Sequence, residues 1–144
     1  MTSLKDSDIF KKKIIIRVDM NVPIKNGLVL DSTRIDLSLP SIKYCISQRS
    51  KVLLITHFGR PTEGEFDNRF SVKNIVKEIE NNLGQEVEIV KDLDNKKIFN
   101  SNRNVQILEN IRFFKGEKDN CEKLGKKIAD LCDLYVFDAF GCSH

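Results

Sequence analysis

No apolar run in the 144 residues approaches the roughly 20 that a membrane-crossing helix needs, which excludes a membrane role built on such a helix. The opening Met-Thr-Ser-Leu-Lys-Asp-Ser-Asp lacks a signal-peptide pattern: the charged Lys11-Lys12-Lys13 precedes only the short Ile14-Ile15-Ile16. A cytoplasmic location is the expectation. There is no G-x-x-x-x-G-K-S/T loop and no G-x-G-x-x-G after a strand-like run, so nothing here cradles a nucleotide triphosphate. Cys45, Cys121, Cys132 and Cys142 show no C-x-x-C spacing, and read as reduced and mostly buried. Cys142-Ser-His144 lacks a second pair of ligands, so no metal is expected. Charge of one sign is also scarce. The net +3 is too mild to argue for nucleic acid, and the lysines, spread along helical and loop segments, read as solvated surface.

What remains is a chain about one domain long, with 40% apolar and 31% charged residues, as in an ordinary soluble protein. Lys13 to Val18 and Lys51 to Thr56 read as strands apolar on both faces, as buried parallel strands are. Asn26-Gly27 between short apolar stretches signals a hairpin. A helix is predicted over roughly Asp36 to Gln48, with Leu39, Ile42, Cys45 and Ile46 on one face and Pro40 near its first turn. Ser71 suits an N-cap, Val72, Ile75, Val76, Ile79 and Leu83 follow at helical spacing, and Gly84 suits a C-terminal cap. Further strands are predicted at Glu86–Val90, Val105–Leu108 and Leu134–Phe137, with a helix near Asn120–Cys132. The polar 92–104 stretch reads as an irregular connection. The alternation implies a doubly wound α/β fold: a mostly parallel, Rossmann-like sheet with helices on both faces.

Four polar clusters stand just past apolar runs: Arg17-Val-Asp19-Met-Asn21-Val-Pro23, Thr56-His57-Phe-Gly59-Arg60-Pro61, Leu108-Glu-Asn-Ile-Arg112-Phe and Asp138-Ala-Phe-Gly141-Cys-Ser-His144. If the runs are neighbouring parallel strands, these clusters meet where an open α/β sheet binds ligands. Arg34, His57, Arg60 and Arg112 would then share one cleft, suited to a small anion with two acidic groups such as a sugar-acid phosphate. Asp19 and Asn21 suit accepting from a substrate hydroxyl and holding an arginine; the lesser alternative is that they merely make the turn before Pro23. Glu109 and Asn110 face the cleft or act as caps. Asp138 reads as structural, Arg17 as a buried pairing inside its strand, and Phe113, Phe114, Phe137 and Phe140 as core or cleft wall.

Together with Ser32-Thr-Arg-Ile, these motifs occur in the order and at nearly the spacing found in phosphoglycerate kinase, and the resemblance runs from Lys13 to His144. It implies the reversible phosphoryl transfer of glycolysis between 1,3-bisphosphoglycerate and ADP, giving 3-phosphoglycerate and ATP. It also implies that this chain is the 3-phosphoglycerate-binding N-terminal domain, residues 1–144, with the nucleotide domain that binds MgATP or MgADP absent. Asp19 and Asn21 would hold the glycerate. Arg34 would lie by the carboxyl group and stabilise the transferring phosphoryl, while His57, Arg60 and Arg112 would hold the other end. The family's last motif continues past His144 with an arginine, so the sheet is expected to be incomplete at its C-terminal side, and the chain alone inactive. The family is usually monomeric, and neither nucleic acid nor membrane is an expected partner. The alternative is a non-catalytic anion-binding remnant that needs a separate nucleotide-domain partner. A phosphatase of the haloacid dehalogenase type fits poorly, because Asn21 stands where that chemistry needs a second Asp. A receiver-like domain fails for want of paired acidic residues.

Overall fold

The computed structural model describes residues 8–57, 65–111 and 122–138. The elements are Lys13–Val18 (β1), Ile24–Lys25 (β2), Leu28–Val29 (β3), Thr33–Ser47 (α1), Lys51–Ile55 (β4), Lys73–Leu83 (α2), Val87–Val90 (β5), Val105–Leu108 (β6), Glu122–Leu131 (α3) and Leu134–Asp138 (β7). A 3-10 turn at Asn68–Phe70 precedes α2. Five strands form a parallel sheet in the order β5-β6-β4-β1-β7.

Alternation along the strands divides the apolar side chains between two faces. Ile14, Ile16 and Val18 of β1, Val52 and Leu54 of β4, and Val105 and Ile107 of β6 pack with Ile35 and Ile42 of α1 and Ile75 and Ile79 of α2. Ile15, Leu53, Ile55 and Leu108 pack on the other face with Leu93, Ile98, Phe99 and, from α3, Ile128. The sheet is therefore covered on both faces, the doubly wound arrangement expected of near-continuous apolar strands. Beside it, β2 and β3 pair antiparallel through a two-residue turn, Ile24 opposite Val29 and Lys25 opposite Leu28. Asn26 and Gly27 take φ of 54° and 76°, the left-handed pair that such a turn demands.

Three local expectations need correction. Helix α1 begins at Thr33, not Asp36, because Asp31 Oδ1 accepts the Thr33 amide at 2.9 Å and the Asp36 amide reaches Ser32 O at 2.8 Å. Arg34 therefore stands in a first helical turn rather than a loop, and Pro40 lies inside the helix rather than in its first turn. Pro40 is exposed, so the carbonyl left without an amide by its ring can turn to solvent. The N-cap of α2 is Val72; Ser71, one residue earlier, instead accepts the Lys73 amide on its hydroxyl at 3.2 Å. Gly84 does close α2, with φ 73° and its amide bonded to Glu80 O at 2.8 Å.

The 92–104 connection holds no helix or strand, yet it buries Leu93, Ile98 and Phe99. Gln106, buried in β6, holds it there. Its Oε1 accepts the Phe99 amide at 2.8 Å, and its Nε2 donates to Lys97 O and Glu88 Oε1, each at 2.8 Å. The bond from Gln106 keeps the Glu88 carboxyl below its ordinary pKa, with Ser101 adding to the effect.

Candidate functional site

Because β6, β4, β1 and β7 run parallel and side by side, the residues after their C-terminal ends share one edge. The edge is closely tied together. Met20 N–H donates to Thr56 Oγ1 at 3.1 Å, and the Thr56 hydroxyl donates to His57 O at 3.1 Å. Ile111 N–H reaches Thr56 O at 3.0 Å, and Glu109 N–H reaches Val90 O at 2.9 Å. The loops after β1, β4, β5 and β6 are thus joined in sequence across the sheet. Thr56 heads one of the four polar clusters; its buried hydroxyl has a linking role that no local sequence signal marks.

Asp19, Asn21 and Arg34 come together at the end of β1. Asp19 is 2% exposed and its Oδ1 accepts from Arg34 Nη1 at 3.2 Å and from the Asn21 amide at 3.2 Å. The same Nη1 donates to Asn21 O at 3.2 Å. Polar oxygens this buried cost free energy unless donors reach them. Arg34, by contrast, keeps half of its side chain in solvent, and among the described residues its bonds leave from Nη1. The Asp31 carboxyl, drawn below its ordinary pKa chiefly by the Thr33 hydroxyl and then by the Thr33 amide, holds the start of α1 that carries Arg34. A groove of about 640 Å³ opens here, lined among others by Asn21, Pro23, Asp31, Thr33 and Arg34. A half-exposed guanidinium braced by a buried carboxylate at the rim of a groove can receive an anion without first breaking its support.

His57 follows β4 directly and is half-buried at the same edge. Arg60 and Arg112 lie outside the described residues, as do Cys121, Cys142, Phe113, Phe114 and Phe140; of Asp138 only its place at the end of β7 is described. Phe137 is half-buried in β7. Arg17, half-buried in β1, hydrogen-bonds the Tyr135 hydroxyl of β7. Cys45 is buried in the core, which pushes its thiol up to about 11; Cys132 is half-buried and shifted up by the same cause. Glu109 acts as a cap, accepting the Val72 amide at 2.8 Å and the Ser71 hydroxyl at 2.7 Å. Asn110 donates from Nδ2 to Phe70 O at 2.8 Å. Among the described residues no group of three or more His, Cys, Asp or Glu could hold a metal ion, and no helix is long and apolar enough to cross a membrane.

A doubly wound α/β domain with a braced arginine and a histidine at the carboxyl edge of its strands belongs to the class of open α/β sheets whose ligands bind at that edge. The model of the phosphoglycerate kinase family matches residues 4–144. Curated phosphoglycerate kinases from Blochmanniella floridana and Vibrio campbellii are each 45% identical, over 147 and 141 residues, covering 100% and 98% of this chain. The solved phosphoglycerate kinase of Coxiella burnetii superposes with a TM-score of 0.88 at 35% identity over 96% of the chain. That of Pyrococcus horikoshii OT3 gives 0.82 at 32% identity over 97%. The chain belongs to the phosphoglycerate kinase family. It spans 36% of the length of those curated relatives, and 35% and 37% of the two solved chains.

Proposed function

We propose that this chain is the phosphoglycerate-binding N-terminal domain, residues 1–144, of a cytoplasmic phosphoglycerate kinase. Such an enzyme moves a phosphoryl group reversibly between 1,3-bisphosphoglycerate and ADP. The observation that carries the reading is the Asp19–Arg34 pair with Asn21 beside it, at the carboxyl edge of a parallel sheet. Asp19 and Asn21 hold the glycerate. Arg34, braced at 3.2 Å, faces the carboxyl group that accepts or releases the phosphoryl and balances charge as it moves. His57, Arg60 and Arg112 hold the 3-phosphate end. Positioning and charge balance are most of what phosphoryl transfer asks of a protein.

The nucleotide is a different matter. Phosphates bind at helix N-termini whose amides are open to them. At α1 the Thr33 amide is taken by Asp31, and at α2 the Val72 amide is taken by Glu109. Those two helix starts do not fit a nucleotide triphosphate, and MgATP or MgADP would be held by the family's nucleotide domain. Titration of the chain with 3-phosphoglycerate by calorimetry tests the reading. Saturable, salt-sensitive binding is expected, and no heat at millimolar ligand would overturn it. A coupled assay with the pure chain is expected to show no ATP-dependent turnover.

A further inference from the structure

Glu109 is 6% exposed, and both of its carboxylate oxygens are engaged by donors from other segments. Oε1 accepts the Val72 amide at 2.8 Å and the Asn110 amide at 2.9 Å; Oε2 accepts the Ser71 hydroxyl at 2.7 Å. Around it, the Glu109 amide bonds Val90 O at 2.9 Å, the Ile111 amide bonds Thr56 O at 3.0 Å, and Asn110 Nδ2 bonds Phe70 O at 2.8 Å. Segment 109–111 is thereby fixed to the ends of β4 and β5 and to the start of α2. Its neighbours along the chain are the residues of interest: Ile111 precedes Arg112, and Thr56 precedes His57.

A buried carboxylate near a site for anions opposes binding unless its own charge is compensated. Here the amide of Val72, the N-cap of α2, together with the Asn110 amide and the Ser71 hydroxyl, compensates it. An acceptor-only group meets three donors, so its orientation has no equally satisfied alternative. We propose that Glu109 is a positioning residue for the phosphoglycerate site, acting through the Thr56–His57 segment and not touching the substrate. The carboxylate fixes where segment 109–111 leaves the sheet, and the Ile111 amide then holds Thr56 O, so the backbone that leads into His57 is set before an anion arrives and binding has less ordering to impose. This inference rests on the reading of the site given above.

The test compares wild type, Glu109→Ala, Glu109→Gln and Glu80→Ala, titrated with 3-phosphoglycerate while the His57 imidazole resonances are followed, with urea midpoints in parallel. Glu80 is the control, since its Oε2 accepts the Val87 amide at 2.9 Å at the start of β5, the end remote from the cleft. Glu109→Ala is expected to weaken binding about tenfold or more. Glu109→Gln, which can still accept both amides on Oε1 and donate to Ser71, is expected to recover affinity to within about threefold of wild type. Glu80→Ala should lower the urea midpoint and leave affinity unchanged. Unchanged affinity in Glu109→Ala, or an equal loss in Glu80→Ala, overturns the proposal. If Glu109→Ala does not fold, Ser71→Ala carries the test, with binding expected to weaken about threefold; unchanged affinity there overturns the proposal. If wild type itself does not bind, the reading of the site falls, and amide exchange decides the positioning claim. Glu109→Ala must then speed exchange at Ile111 far more than at Ile16, and equal exchange would overturn it.

Discussion

At the carboxyl edge of the sheet, Asp19, Thr56, Ser71, Glu109 and Asn110 are all buried polar residues. At the amino edge, Lys11, Lys12, Lys13, Arg49 and Arg103 stand exposed, and the polar groups are satisfied differently. There, Lys51 Nζ donates to the carbonyls of Ser101 and Arg103 at 3.2 Å each, Arg103 pairs with Glu86, and Asp133 Oδ2 takes the Lys13 amide at 2.8 Å. The strands are the same at both edges; the solvation is not. One edge keeps its charges in water, where each contributes little. The other removes polar groups from water and must give every one a partner, which costs stability if any partner is lost and fixes geometry if none is.

The largest effect should come from Asp19→Ala. It takes the acceptor from Arg34 and from the Asn21 amide in a place where Asp19 is 2% exposed. Arg34 is half in solvent and can rehydrate, so the loss is set mainly by the stranded amide and the small void, about 2–3 kcal/mol by urea denaturation. Phosphoglycerate binding should be lost with it. A loss under about 0.5 kcal/mol would mean that the carboxyl edge is no more demanding than the amino edge.

Arg34→Ala comes next and separates binding from folding. Losing one charge-assisted contact to an anion should weaken 3-phosphoglycerate binding about ten- to a hundredfold. Unchanged affinity in a calorimetric titration would place the anion elsewhere along the edge.

The same contrast explains what could be read in advance. The strands, their parallel direction and the hairpin follow from periodicity, strand–helix alternation and one Asn-Gly pair, signals carried by neighbours in sequence, whereas the order β5-β6-β4-β1-β7 does not. Helix α1 starts three residues before the expected Asp36 because the Asp31 carboxylate takes the Thr33 amide, a bond that the period of apolar residues does not show. Gln106 reads as an ordinary strand residue, and Thr56 as part of a polar cluster with no partner marked. Their partners, Phe99, Lys97, Glu88 and the Met20 amide, lie outside any local pattern. Bonds between segments distant in sequence have no period, so the polar stitching of the carboxyl edge was the least legible part of the chain.

A smaller effect should follow acidification at the carboxyl edge. Thr33 holds the Asp31 carboxyl below its ordinary pKa of 3.8, so the charged form is favoured in the folded state. Its contribution is present above pH 3.8 and is lost as pH falls through the depressed folded value. Protection of the Thr33 and Arg34 amides, relative to their intrinsic exchange at each pH, should therefore fall below pH 3.8 in wild type and be less sensitive to pH in Asp31→Asn. Equal acid sensitivity in the two proteins would remove Asp31 as the group that holds the start of α1.

Lys13→Ala should change least. Lys13 stands exposed opposite Lys51 in register, so its removal relieves a like-charge pair and leaves the backbone bond to Asp133 in place. The urea midpoint should correspond to wild type within about 0.5 kcal/mol. Binding should not respond either. The six residues of β1 carry the chain about 20 Å from Lys13 to the cleft, more than two Debye lengths at physiological salt. A cation at that distance can speed the approach of an anion at low ionic strength, but it cannot hold one. If Lys13→Ala weakened 3-phosphoglycerate as much as Arg34→Ala at about 0.15 M salt, the anion would be bound at the amino edge and the contrast between the two edges would be inverted.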